Sequence, residues 1–204
     1  MAKSITDKKV LALFDFDGTL TKKDTMFEFI RFSKGNLMLL IGLIISFPIL
    51  VLYKLGFYSN EKAKEFFLSF FFKGSNIDDL LKIGKKFANA RIEKILYKDA
   101  KKAIEWHKSN NHKIIVISAS IDIWLSEWCK KNKIHLISTK LHVKNGKISG
   151  RLLTKNCFGA EKVNRLKKEF NLSKFSLIYA YGDSRGDKEM LSLADKGYYR
   201  EFKK

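Results

Sequence analysis

An α/β fold with a doubly wound, mainly parallel sheet and a helical cap inserted after its first strand is what the sequence predicts, and three observations carry it. Four short apolar stretches, "KVLALFDFDG", "KIIVISAS", "KIHLIST" and "FSLIYAYGDS", each end in small or polar residues. They lack strict alternation, which marks strands buried on both faces of a parallel sheet. Helical patterns, "DIWLSEWCKKN" and "GAEKVNRLKKEFNL", lie between them. Finally, about ninety residues separate the first strand from the second, far more than a simple crossover needs.

The first strand runs into "LFDFDGTLT", Leu13 to Thr21, which sets Asp15 and Asp17 just before Gly18. Residues 22–100 read as a mostly helical cap over the strand ends, leaving residues 1–21 and 101–204 as the catalytic core. The second strand ends at Ser118. After the third strand, "TKLHVKNGKISGRLL" places apolar residues around Asn145-Gly146, the signature of a tight hairpin. The fourth strand ends at Asp183, and "GYYREF" reads as a fifth. In such sheets ligands bind beyond the carboxyl ends of the strands, where Asp15, Asp17, Ser118 and Asp183 fall.

Composition narrows the function classes. At 204 residues with 46% hydrophobic residues and one proline, the chain is expected to fold around a sizeable core. Two cysteines, neither in zinc-like spacing with a histidine, argue against a disulfide framework or a structural zinc site. "MAKSITDKKV" has no apolar stretch, so the expectation is a cytoplasmic protein without a cleaved secretory signal. A net charge of +19 attracts anions, nucleic acid among them. The basic residues are dispersed lysines, not an arginine-rich patch with interleaved aromatics, so they read as a solvated surface and a nucleic-acid partner is not expected.

Residues i and i+2 of an extended segment point the same way, so Asp15 and Asp17 can face one pocket. Two carboxylates held close are tolerable when a divalent cation sits against them or when one keeps its proton. Both states are useful, one for a nucleophile and the other for a general acid. "GDSRGD" adds Asp183 and Asp187, hard oxygen donors suited to Mg²⁺. A single strand-end aspartate is ordinarily a helix N-cap; four on two strand ends are harder to read that way. His107, His112, His135 and His142 form no recognisable cluster, and Trp124 and Trp128, four apart on one helical face, read as packing residues.

"DFDGTLT", "IIVISAS", "GAEK" and "YGDSRGDKEM" occur in the order of the four motifs of the haloacid dehalogenase (HAD) superfamily of phosphohydrolases, and the chain resembles its subfamily IB along its whole length. The resemblance implies a Rossmann-like core and Mg²⁺-dependent hydrolysis of a phosphomonoester. It makes Asp15 the nucleophile that forms an aspartyl phosphate and Asp17 the acid and base. Ser118 would bind a phosphoryl oxygen, and Lys162 would balance charge. Asp183, with the Asp15 carboxylate and the Asp17 carbonyl, would hold Mg²⁺, with Asp187 supporting the metal. Asp24 and Arg185 are the candidates for the substrate side. A non-catalytic anion- or membrane-binding module is the alternative, against which all the motif carboxylates speak.

The chain departs from phosphoserine phosphatases of that subfamily in two places: Ala119, Ser120 and Ile121 follow Ser118 where those enzymes have paired glycines, and the early cap acid is Asp24 instead of glutamate. "NLMLLIGLIISFPILVLY", Asn36 to Tyr53, has no charged residue, and Lys34 and Lys54 flank it. As a helix it spans about 27 Å. A single crossing would strand the first motif on the wrong side of the bilayer from the other three. The segment is therefore expected to be a buried cap helix pair, or a re-entrant or interfacial element that enters and leaves on one face, with Pro48 as its natural break. Its placement resembles that in C-type phosphatidylglycerophosphatases. The expected partners are thus a lipid phosphate, with peripheral contact at an anionic cytoplasmic membrane face, or a soluble small phosphomonoester.

Overall fold

The computed structural model describes residues 9–203. Its main sheet has five parallel strands in the order β3-β2-β1-β6-β7: β1 (Lys9–Phe14), β2 (Lys113–Ile121), β3 (His135–Thr139), β6 (Phe175–Gly182) and β7 (Lys196–Tyr199). Parallel pairing buries both faces, and the side chains sort accordingly. Leu11 and Leu13 pack with Ile115, Ile117, Leu166 and Met190 on one face, whereas Ala12 and Phe14 pack with Val116, Ile104 and Tyr181 on the other. Helices therefore cover both sides: α5 (Lys98–Ser109) and α6 (Asp122–Lys131) lie on the second face, with α7 (Ala160–Glu169) and α8 (Lys188–Leu193) on the first. The doubly wound parallel fold expected from the strand pattern is present. The fifth strand is shorter than "GYYREF", because Arg200 adopts a positive φ of 56° and turns the chain out of the sheet.

Between β1 and β2 lie α1 (Thr25–Lys54), α2 (Asn60–Phe72), α3 (Ile77–Phe87), a π-helical turn over Ala88–Ile92 and the short α4 (Glu93–Ile95). Asp24 caps α1, its carboxylate accepting from the Met26 and Phe27 amides. A helix of this composition needs such a cap, since its first amides have no intrahelical acceptor. Phe29 anchors it, fully buried and stacked on Trp124 with ring centroids 4.8 Å apart. Trp124 and Trp128 are buried packing residues, as their spacing suggests. The hairpin β4 (Leu141–Lys144) and β5 (Lys147–Leu152) turns at Asn145 and Gly146, both at positive φ. It pairs with itself, not the main sheet, and lies against α2.

Two expectations need correcting. The chain does not break at Pro48; α1 is interrupted at Gly35, where φ is 85° and ψ 169°, and runs helically through the proline. Pro48 is exposed, so the carbonyl its ring leaves unpaired can be solvated. The histidines are also not all isolated: His107 Nδ1 lies 2.7 Å from His112 Nδ1, and His107 Nε2 lies 3.1 Å from the Tyr181 hydroxyl. A five-residue separation matches no helical or strand repeat; the pair forms because the chain turns at Asn111, at φ 56°, between α5 and β2.

Burial and then His112 push His107 down to about 4. An unfolded chain therefore takes up this proton first as the medium acidifies, so the stability contributed by neutral His107 is intact above about pH 6.5 and lost as pH falls toward 4. The melting temperature is expected to fall more steeply across that window in the wild type than in His107→Gln. Parallel pH profiles for the two proteins would refute the assignment.

Candidate active site

β1 continues past its last residue through one more ladder bond, the Asp15 amide donating to the Tyr181 carbonyl at 2.9 Å. This fixes Asp15 at the sheet's carboxyl edge, where it is 7% exposed. Gly18 then reverses the chain at φ 81°, and a Cβ there would lie 2.6 Å from Asp183 Oδ2. The glycine is needed both for its backbone conformation and for the closeness of the two strand ends.

Lys162, at the start of α7, is 2% exposed and joins these ends. Its ammonium donates to Asp15 Oδ1 at 2.5 Å and to Asp187 Oδ1 at 2.6 Å. Burial alone would push the ammonium down, but Asp15 and Asp187 outweigh it and hold Lys162 above its ordinary value. Burial also pushes Asp15 up to about 7 against the pull of Lys162. Asp187 goes the other way: burial raises it, but Lys162 and the Ser184 and Asp183 amides prevail. Those amides donate to its second oxygen at 3.0 and 3.1 Å, with the Ser184 hydroxyl also at 3.0 Å.

Thr19 sits between Asp15 and Asp183, its hydroxyl 3.1 Å from Asp15 Oδ2 and from Asp183 Oδ1. One hydroxyl proton can serve only one of them at a time. The carboxylates of Asp15, Asp183 and Asp187 each place an oxygen within 4.8 Å of the others'. Hard oxygens from three carboxylates this close form a donor set that fits Mg²⁺, since like charges are tolerated together only with positive charge nearby. Lys203, near the chain end, supplies part of the missing positive charge, donating to Asp183 Oδ2 at 2.7 Å.

Asp17 faces the helical insertion. Its Oδ1 accepts from the Thr25 amide at 2.6 Å and its Oδ2 from the Ser120 hydroxyl at 2.5 Å. Thr25 in turn contacts Ser120 and accepts from the Trp124 indole, both at 3.1 Å. Burial, followed by the charge of Asp24, pushes Asp17 up to about 6 despite these bonds. Asp15 and Asp17 are thus held by different partners. One is tied to a lysine in the core, the other to the first turn of α1.

A cavity of about 250 Å³ opens between these groups, lined by Asp15, Asp17, Asp183 and Asp187 together with Ser118, Lys162, Asp24 and Lys64. Ser118 is 1% exposed and accepts from the Ser120 amide, which leaves its hydroxyl proton for a ligand. Arg185 is not in this lining. It is exposed, because the tight turn that returns the Asp187 carboxylate to Ser184 faces the intervening side chain outward. Lys64 was not singled out in the sequence, where nothing distinguishes it from the other lysines. It reaches the cavity from α2, donating to the Ala119 carbonyl at 2.7 Å and to Asn156 Oδ1 at 3.0 Å. Burial pushes it down to about 8.

A family model for haloacid dehalogenase-like hydrolases matches residues 12–192, which takes in every residue of this cavity. The chain belongs to the haloacid dehalogenase-like hydrolase family. It is 31% identical to Protein CicA of Caulobacter vibrioides over 205 residues, covering 100% of this chain and 91% of CicA. Among solved structures, a Bordetella pertussis protein of unknown function superposes with a TM-score of 0.77 at 22% identity, covering 92% of this chain and 87% of that one. A phospho-aspartyl intermediate analogue of phosphoserine phosphatase gives 0.60 at 24% identity, covering 95% and 86%. The chain shares with these the family's Rossmann-like fold, with α1 to α4 placed after the first strand.

Proposed function

We propose that this hydrolase is a Mg²⁺-dependent phosphomonoesterase acting through an aspartyl phosphate on Asp15, and that its substrate is a lipid phosphate such as phosphatidylglycerophosphate. The observation that carries the chemistry is the buried Asp15–Lys162–Asp187 arrangement facing Asp183 and Asp17 across one cavity. Lys162 holds the Asp15 carboxylate in place and offsets its charge as a phosphate dianion approaches. An Asp15 oxygen attacks phosphorus, and Asp17 gives its proton to the departing alkoxide. Asp17, now ionised, takes a proton from water, and the resulting hydroxide displaces Asp15 from phosphorus and releases inorganic phosphate. Ser118 donates to a phosphoryl oxygen throughout. Mg²⁺ would be held by Asp15, Asp183 and the Asp17 carbonyl, with Asp187 in support, and would supply positive charge against the phosphoryl oxygens.

A raised Asp17 suits both halves of this cycle, since a group near neutrality can give and take a proton. Asp17→Asn is expected to slow hydrolysis of an alkyl phosphate about 10²–10⁴-fold. The loss should be much smaller for an activated aryl phosphate, whose leaving group needs no proton. Equal losses for the two esters would show that the Asp17 carboxyl is not the proton donor.

The lipid reading draws its support from the exposed apolar surface of α1. One observation favours a soluble substrate instead: the cavity is small, and Asp24 stands on its wall where a substrate ammonium would be met. A Mg²⁺-containing panel of phosphatidylglycerophosphate, phosphoserine, a sugar phosphate and a nucleotide monophosphate decides the matter. The proposal expects the lipid phosphate to have the highest kcat/KM. Preference for phosphoserine would overturn the lipid assignment, and no turnover of any ester would overturn the whole.

A further inference from the structure

Beyond Gly35, α1 has a narrow buried stripe, and the rest of its apolar surface is largely exposed. Leu39, Gly42 and Ser46 are buried, and they face α2 so closely that a Cβ on Gly42 would lie 2.1 Å from the Phe71 ring. The opposite stripe, Leu37, Leu40, Ile44, Phe47, Val51 and Leu55, follows the helical repeat and is solvent-exposed, with Ile44 at 65% and Phe47 at 64%. Monomeric soluble proteins rarely leave so continuous a large-apolar surface uncovered. No charged side chain interrupts it between Lys34 and Lys54.

The stripe also has a fixed relation to the cavity. Near its carboxyl end the Tyr53 hydroxyl accepts from Asn60 at 3.0 Å, Asn60 contacts Asn156, and Asn156 accepts from Lys64 inside the cavity. Both ends of the helix are tied to the same body, one through Thr25 at Asp17 and the other through α2. A single crossing of a bilayer would have to pull one of those ties apart, so the helix can meet a bilayer only from one side.

We propose that this outer stripe of α1 docks the enzyme on an anionic lipid bilayer, with the apolar side chains in the acyl boundary and the lysines on the headgroups. Charge selects the occupant. The chain carries +19; Lys54 lies at the carboxyl end of the stripe with Lys62 exposed on the adjoining α2, and Lys34 precedes it, its ammonium 5.8 Å over the Phe72 ring. A second copy of so basic a chain would bring like charge against like, whereas an anionic membrane brings the complement. Buried apolar area and electrostatic attraction then act together, and neither alone suffices for stable binding. Docking does not depend on which ester is hydrolysed.

Vesicle co-sedimentation tests this with the full chain. The wild type is expected to bind phosphatidylglycerol-containing vesicles at least tenfold more tightly than pure phosphatidylcholine ones. Leu40→Ser/Ile44→Ser/Phe47→Ser should weaken that binding a hundredfold or more, with circular dichroism and turnover of a soluble aryl phosphate unchanged. Lys54→Glu/Lys62→Glu, which leaves the apolar stripe intact, should cut the preference for anionic lipid at least threefold and guards against misfolding of the triple variant. A wild type that ignores anionic vesicles overturns the proposal, as does a folded triple variant that still binds. So does a wild-type dimer that the triple variant converts to monomer, since the stripe would then be an interface between copies. Binding to vesicles together with exclusive activity on soluble esters would refute the lipid-phosphate substrate and leave docking standing.

Discussion

Asp15→Asn is expected to lower turnover of any phosphomonoester by at least about four orders of magnitude without lowering the stability of the fold. The first half follows from the chemistry: an amide oxygen has neither the charge nor the nucleophilicity to attack phosphorus, and no other carboxylate stands in the same place. Asp187 has one oxygen on Lys162 and the other on two amides and a hydroxyl, and Asp17 is turned toward α1. The second half follows from the cost of burying Asp15, whose carboxyl is pushed up to about 7 because desolvation exceeds the compensation from Lys162. The ionised group therefore costs the fold stability, as functional groups often do. The amide removes that cost, and Lys162 keeps Asp187 as its partner. Single-turnover assays in Mg²⁺ and thermal melts in chelator check the two halves separately. Substantial turnover by the variant would show that Asp15 is not the nucleophile.

How much of this site could be read beforehand depended on where each residue lies in the chain. Asp15, Asp17, Ser118 and Asp183 were legible because parallel strands are short apolar runs and their ends point to one edge of the sheet. Lys162 was legible only through the resemblance of "GAEK" to a family motif; by composition it is one lysine among many. Thr19 sits inside the first motif but carries no local signal, because its role depends on Asp183, 164 residues away. Lys64 and Lys203 left no signal at all. Their positions come from the packing of α2 onto the strand ends and from the turn at Arg200, neither of which a local pattern encodes. Pro48 is the residue that local rules mark as a break, but the chain bends at Gly35, where a glycine readily adopts φ 85°. Local rules located the catalytic edge; the groups that orient it came from tertiary contacts.

The largest effect on stability is expected from Lys162→Met. Methionine approximates the lysine's length and keeps its packing, so the substitution removes little but the ammonium. What remains is two buried carboxylates, Asp15 and Asp187, each deprived of a partner 2.5 and 2.6 Å away. Breaking a buried pair in this way typically costs about 3–5 kcal/mol, which for a chain of this size lowers the melting temperature by roughly 6–20 °C. Activity should fall about 10²–10³-fold as well, because nothing then offsets the charge of the incoming phosphate. A second substitution separates the two effects. Adding Asp187→Asn to Lys162→Met removes one of the stranded charges and should restore much of the stability, whereas turnover should stay low for want of the cation. If Lys162 were only one more lysine of a basic chain, the single variant would melt with the wild type and the second substitution would have nothing to rescue.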